Sequence, residues 1–197
     1  MLKILDTGKE NKIVEAQEVL ESLGHTVEGL VIAGQRPNFD EPKELGLEGV
    51  AESKILQALD LIKGSELEGS AILVEDSGIF LDAFPEWPGA QSSDVEKEIG
   101  LEGIIDRVNE SGNSGAEYRA VAILSNGDQV WKSQGICRGK ISNHPRGSNG
   151  FGYDPIFIPE EGGGGTFGEL GKEIKNQISH RKKVMQGLSN LLKSPSR

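Results

Sequence analysis

LKILDTGKENKIVEAQEVLESLGHTVEGLVI, residues 2–32, reads as a strand, a turn, a helix and a second strand in immediate succession. Residues 2–5 are a short apolar run, and Asp6, Thr7 and Gly8 are turn formers. Ile13, Ala16, Val19, Leu20 and Leu23 then recur at helical spacing over residues 9–23, and Gly24 stops the run. Residues 26–32 read as the next strand. Both periods in so short a stretch exclude an all-α or all-β chain. The expected class is α/β, or mixed α+β, with a mixed sheet flanked by helices.

The rest of the chain continues the alternation. Residues 34–48 are rich in Gly, Pro and acid and read as a loop. Val50, Ile55, Ala58, Leu59 and Ile62 carry a second helical period with Gly64 as its stop. Residues 71–74 form a compact apolar strand running into Glu75-Asp76-Ser77-Gly78, read as an acidic turn. Residues 84–93, FPEWPGAQSS, read as a Pro/Gly loop. Val95, Ile99, Leu101, Ile104, Ile105 and Val108 suggest one or two short helices. Two strands, 118–124 and 129–141, are joined at Asn126-Gly127-Asp128, a hairpin signal. Residues 162–165, all glycine, form a connector and lack the ending of a P-loop. A helical region closes the chain near Leu192, with residues 194–197 as a frayed tail. One domain over residues 1–193 is expected.

Composition narrows the function classes. The net charge is −10 and the pI about 4.9. Such a chain is a poor partner for duplex nucleic acid, whose backbone is read by basic surface. A small polyanion remains open to it if cations are concentrated locally, and Lys172, Lys175, Arg181, Lys182 and Lys183 do cluster. No apolar run approaches the ~20 residues that span a bilayer. No charged-then-apolar leader opens the sequence. Cys137 is the only cysteine, which excludes an intrachain disulfide and sets the expectation of a reducing, cytoplasmic setting.

Four constellations carry chemistry. Thr7-Gly8 sits where a strand passes into a helix, with Lys12 close behind, and helix N-termini attract phosphate. Glu75 and Asp76 end a buried strand. Neighbouring strand residues face opposite ways, so only a bend, which Gly78 could provide, lets both reach one Mg²⁺. Alternatively one acid holds the metal and the other activates water. Glu41, Glu44 and Glu48 are further carboxylates in or near the loop. Gly150-Phe151-Gly152-Tyr153-Asp154-Pro155 offers rings between glycines, suited to stacking on a purine. Ser179 can cap the last helix, which places the donors His180 and Arg181 in its first turn beside Lys175.

In this order the motifs resemble the inosine triphosphate pyrophosphatase family over nearly the whole chain. Thr7-Gly8-Lys9-Glu10-Asn11-Lys12 is similar to its T-G-N-x-x-K, and Val74-Glu75-Asp76-Ser77-Gly78 to its central acidic motif. Pro88-Gly89 with Ser92-Ser93 resembles its P-G-x-x-S. Residues 150–157 match G-F-G-Y-D-P-I-F, residues 166–170 T-F-A-E-L, and residues 175–181 K-N-x-I-S-H-R. Lys9 stands where the family carries Asn, and Gln91 where it carries Tyr. The resemblance implies a long curved mixed sheet with helices on both sides, two lobes around a deep cleft, and a homodimer. It implies cleavage of a nucleoside triphosphate between the α and β phosphates with Mg²⁺, for which Mn²⁺ can substitute. The bases implied are hypoxanthine and xanthine, so that ITP, dITP and XTP are the substrates.

Joined to these motifs, Asp76 is expected to activate water, with Glu41 and Glu75 on the metal, Asp76 also within its reach, and Lys12 on the phosphates. Thr7, Gly8, Lys9 and Ser77 belong to the expected substrate contacts. Phe151 stacks on the base; Gly152, Tyr153 and Asp154 are further substrate contacts, Tyr153 through its backbone or as pocket wall. Lys175, His180 and Arg181 read the 6-oxo group. Two rivals stand beside this: a broader pyrophosphatase of modified triphosphates, and a nucleotide-binding module without catalysis.

Overall fold

The computed structural model describes residues 2–193, leaving aside the side chain of Asn11; the expected tail at 194–197 lies outside the described residues. Among the described residues seven strands form one mixed sheet. In chain order they are β1 (Lys3–Asp6), β2 (Thr26–Gly29), β3 (Ala71–Leu81), β4 (Phe84–Pro88), β5 (Gly115–Ser125), β6 (Val130–Ile141) and β7 (Phe157–Pro159). The sheet order is β2-β1-β3-β5-β6-β7, with β4 on β3. β1 runs parallel to both β2 and β3, whereas β4 pairs antiparallel with β3 and β7 with β6. The helices are α1 (Glu10–Leu20), α2 (Gly46–Ile62), α3 (Ser92–Ser111), α4 (Lys172–Ile178) and α5 (His180–Lys193).

Chain contacts divide the protein into two compact units. One takes the described residues up to Asp76, residues 120–135 and the described residues from Lys183 on; the other takes 77–119 and 136–182. The first has its own core. Ile4 of β1, Ala16, Val19 and Leu20 of α1, Leu73 of β3 and Leu124 of β5 are buried with Val184, Met185 and Leu188 of α5. These are the apolar stripes that the helical spacing of α1 predicts. The second unit gathers Ile79, Val95, Ile104, Val108, Tyr118, Phe157 and Phe167.

Local signals hold at most ends. Gly24, with φ +80°, closes the turn after α1, and Gly127, with φ +91°, sits in the β5–β6 turn. α3 is broken at Gly100, where φ and ψ leave the helical region, so the expected one or two helices are two joined across a kink.

Three expectations are corrected. Glu75-Asp76-Ser77-Gly78 is not a turn, because β3 continues through it to Leu81. Gly78 serves close approach instead: a Cβ there would lie 2.0 Å from the Gly89 carbonyl oxygen. Residues 84–88 are a strand rather than a loop. Finally, α2 starts at Gly46, inside the segment expected to be loop.

Candidate active site

The first unit holds a cluster of buried ionic groups around the end of β1 and the middle of β3. Lys12 extends from α1, and its Nζ lies 2.6 Å from Glu75 Oε2 and donates to the Glu75 carbonyl at 3.1 Å. Glu75 is buried. Asp76, the next residue along the strand, turns to another cation. Lys54 Nζ of α2 is 3.3 Å from Asp76 Oδ1 and 2.5 Å from Glu41 Oε1. Consecutive side chains along a strand point in different directions, which lets each take its own partner. Among the described residues the expected Glu41, Glu75 and Asp76 do not make a ready-made metal cluster, although both glutamates act on the Asp76 charge. Glu41 and Asp76 share Lys54, and Glu75 belongs to Lys12. Glu44 is exposed, and Glu48 pairs with Lys132.

The charges shift one another. Burial pushes the Asp76 carboxyl above the ordinary aspartate range, and the nearby Lys54 and Lys12 ammonium groups only partly offset it. Burial acts the same way on Glu41, but the contact with Lys54 outweighs it and leaves that carboxyl below the usual range. Burial alone would lower Lys54; the two carboxylates reverse this and hold its ammonium charged.

The turn before α1 is built differently from expectation. Its cap position is Lys9, whose carbonyl accepts from Lys12 and Ile13 while its side chain makes no cap. Thr7 donates its N–H to Leu73 at 3.0 Å. Gly8 donates its N–H to Asp6 Oδ1 at 2.6 Å, and Arg36 reaches the Gly8 carbonyl at 2.9 Å. A Cβ at Gly8 would meet Asp6 and Lys12 at 2.9 Å, so the residue must be glycine for the turn to stay this tight. The Asp6 side chain is buried, and its Oδ2 has no hydrogen-bond partner. Burial raises this carboxyl to about 6.

Lys54, Asp6 and Arg36 were not singled out from sequence. Lys54 left one legible signal: with Val50 and Ala58 it forms an i, i+4 series, so a lysine falls on the buried stripe of α2.

The second unit holds the aromatic and cationic cluster. Ser179 is extended and accepts from the Lys182 N–H at 3.2 Å, capping α5 as expected. This places His180 and Arg181 in the first turn, both buried. Asp154, also buried, is held by Lys175 Nζ at 2.5 Å and accepts from the Phe151 N–H at 2.8 Å. The tight loop needs Gly150, where φ is +77° and a Cβ would sit 1.9 Å from Asp154 Oδ2. Phe151 is half exposed. Lys175 Nζ lies 4.9 Å and the Arg181 guanidinium carbon 5.2 Å from its ring centre. Arg181 also approaches Ser77 Oγ at 3.5 Å. Gly152, with φ +61°, continues the loop. The Tyr153 side chain is buried in the core and donates its hydroxyl to the Ser92 carbonyl at 2.8 Å.

Phe151 thus presents a half-exposed ring with two cations over it, beside a buried carboxylate and the further donor His180. Such a set can stack on a flat heterocycle and donate to its exocyclic oxygen. The lysine–carboxylate pairs of the first unit can take phosphate oxygens or a hard cation. Glu41 and Asp76 already bring oxygens to one positive charge, the Lys54 ammonium, so their chemistry fits a hard divalent cation. Among the described residues no three His, Cys, Asp or Glu side chains form a ready-made metal cluster.

The comparisons with known proteins bear on the family and the fold. The family model described as "Ham1 family" matches residues 4–191. A dITP/XTP pyrophosphatase of Methanopyrus kandleri is 37% identical over 195 residues, covering 98% of this chain and 97% of that protein. One from Hyperthermus butylicus is 35% identical over 190 residues, covering 96% and 94%. The solved Ham1 protein of Staphylococcus aureus shares the fold with a TM-score of 0.82 at 24% identity, covering 96% of this chain and 97% of its own. With nearly its whole length matched, this chain belongs to the Ham1 family.

Proposed function

We propose that this protein hydrolyses non-standard purine nucleoside triphosphates, ITP, dITP and XTP, to the monophosphate and pyrophosphate. The observation that carries the reading is the cluster of Phe151, Asp154, Lys175, His180 and Arg181, built by the two motifs that resemble the family most specifically. Its relatives bear the name dITP/XTP pyrophosphatase.

The base logic is physical. Lys175, His180 and Arg181 are donors that satisfy the 6-oxo group of hypoxanthine or xanthine. The 6-amino group of adenine would set donor against donor. A buried group left without its partner costs about 1–3 kcal/mol, so a few mismatches give strong rejection of ATP. Phe151 supplies the stacking face, and Asp154 fixes Lys175 and the Phe151 backbone.

In the first unit, Lys12 and Lys54 are the cations for the triphosphate oxygens. Asp76 accepts the proton of the attacking water, a role suited by the upward push of burial on its pKa. Glu41 and Asp76 would hold Mg²⁺, or Mn²⁺ in its place. When bound, the cation supplies charge neutralisation on the phosphates as pyrophosphate leaves. Glu75 keeps Lys12 in position. The homodimer and the cytoplasmic setting expected from sequence are part of the same proposal; light scattering tests the first. No helix among the described residues is long and apolar enough to cross a membrane.

The test is a substrate panel of ITP, XTP, dUTP, GTP and ATP with Mg²⁺ or with excess EDTA, scoring pyrophosphate. ITP and XTP should exceed ATP and dUTP, and EDTA should abolish turnover. Equal rates across the panel would favour the broader pyrophosphatase, and no pyrophosphate from any substrate would leave a binding module.

A further inference from the structure

His180 lies flat against Tyr118, a residue of β5 that the site described above does not use. The ring centres are 4.6 Å apart and the planes 9° from parallel. Tyr118 is itself fixed. Phe157 meets it edge-on at 4.8 Å and 69°, and Phe167 lies at 6.1 Å. Only 9% of Tyr118 is exposed. The imidazole therefore stacks on a ring that is itself packed in the core.

That matters because a histidine's second torsion is broad and roughly two-fold, so the backbone alone does not choose the ring plane. The Ser179 cap sets where His180 starts but not how its ring is turned. A donor reads an oxygen well only when the N–H points at it, and hydrogen bonds weaken steeply away from linearity. Rotating the imidazole about its bond to Cβ would break the parallel stack.

We propose that Tyr118 is a positioning residue for base selectivity: its ring fixes the plane of His180 so that the imidazole donor is aimed in one direction. This rests on the reading of His180 as a base-recognising residue. The hydroxyl of Tyr118 takes no part in the stack, so Phe should serve at this position and an aliphatic residue should not. Parallel aromatic contacts of this kind correspond to a change of roughly 3- to 10-fold.

The experiment compares Tyr118→Phe, Tyr118→Leu and His180→Ala with the wild type. One readout is the ratio of kcat/KM for ITP over ATP. The other, independent of activity, is the proton NMR of the His180 ring, which the Tyr118 ring current displaces upfield. Tyr118→Phe should keep the ratio within about twofold and keep the upfield signal. Tyr118→Leu should lower the ratio roughly 3- to 10-fold and move the signal downfield. If the Leu variant does not fold, Tyr118→Met refills more of the ring volume and takes its place. A Phe variant as impaired as the Leu variant would assign the effect to the hydroxyl and overturn the proposal. So would an unchanged ratio in the Leu variant when His180→Ala does lower it, and that outcome leaves the base-reading function intact. An unchanged ratio in His180→Ala would instead sink the base-reading role itself, and the selectivity role of Tyr118 with it.

Discussion

Asp6→Asn should stabilise the protein, and only where an aspartate would be charged. Asp6 is 1% exposed, and burial raises its carboxyl from an ordinary 3.8 to about 6. The nearby Glu75 carboxylate adds to the rise, while the Gly8 N–H and the Lys12 and Arg36 cations oppose it. The folded protein therefore holds this proton more tightly than the unfolded chain does. The protonated acid favours the fold fully below about pH 4, and that advantage is lost as pH rises through about 6. Roughly two pKa units correspond to about 3 kcal/mol, a large share of the ~5–15 kcal/mol that holds a domain together. Asn has nearly the same shape and keeps an acceptor for the Gly8 N–H, but it does not ionise. Urea unfolding of both proteins, followed by tryptophan fluorescence between about pH 4 and about pH 8, measures the difference directly. Other titrating groups largely cancel in that difference. The gain of Asp6→Asn over the wild type should be small at the acid end and grow to about 3 kcal/mol near neutrality. A difference that stays flat across this range would refute the argument that Asp6 is an ionisable group held in a low-dielectric site.

Asp76→Asn should leave the fold intact and lower kcat by roughly 10²- to 10⁴-fold, because the amide cannot take a proton from water; near wild-type turnover in steady-state assays would remove Asp76 from the chemistry. Lys12→Met takes the ammonium from a carboxylate whose side chain is 1% exposed, so it should cost about 3–5 kcal/mol near neutrality. Adding Glu75→Gln should recover part of that loss in a double-mutant cycle; full additivity would deny the pair. His180→Ala and Arg181→Ala should each lose more kcat/KM on ITP than on ATP, since ATP gains nothing from those donors. Equal losses on both substrates would assign these residues to the phosphates or to the fold.

The sequence by itself determined what local chemistry controls. The apolar spacing of Ile13, Ala16, Val19 and Leu20 specifies the buried face of α1, and Gly24 can enter the left-handed region that closes the following turn. Asn126-Gly127-Asp128 marks the link between β5 and β6, and Ser179 marks the start of α5, because turn and cap geometry depend on a few adjacent residues. The resemblance named the cluster around Phe151, Lys175, His180 and Arg181 because motif blocks survive as contiguous strings. Tertiary structure decided the rest. β3 continues through Glu75-Asp76-Ser77-Gly78 as a strand of the sheet, and there Glu75 meets Lys12 and Asp76 meets Lys54. Residues 84–88 become a strand by pairing with β3. Lys54 meets Glu41 and Asp76, and Tyr118 meets His180, across long separations along the chain. Tyr153 joins the core because Ser92 offers its carbonyl a helix away. Burial is likewise a property of the packed whole: Asp6 looks like any turn aspartate until β1 is enclosed, and only then does its proton affinity change.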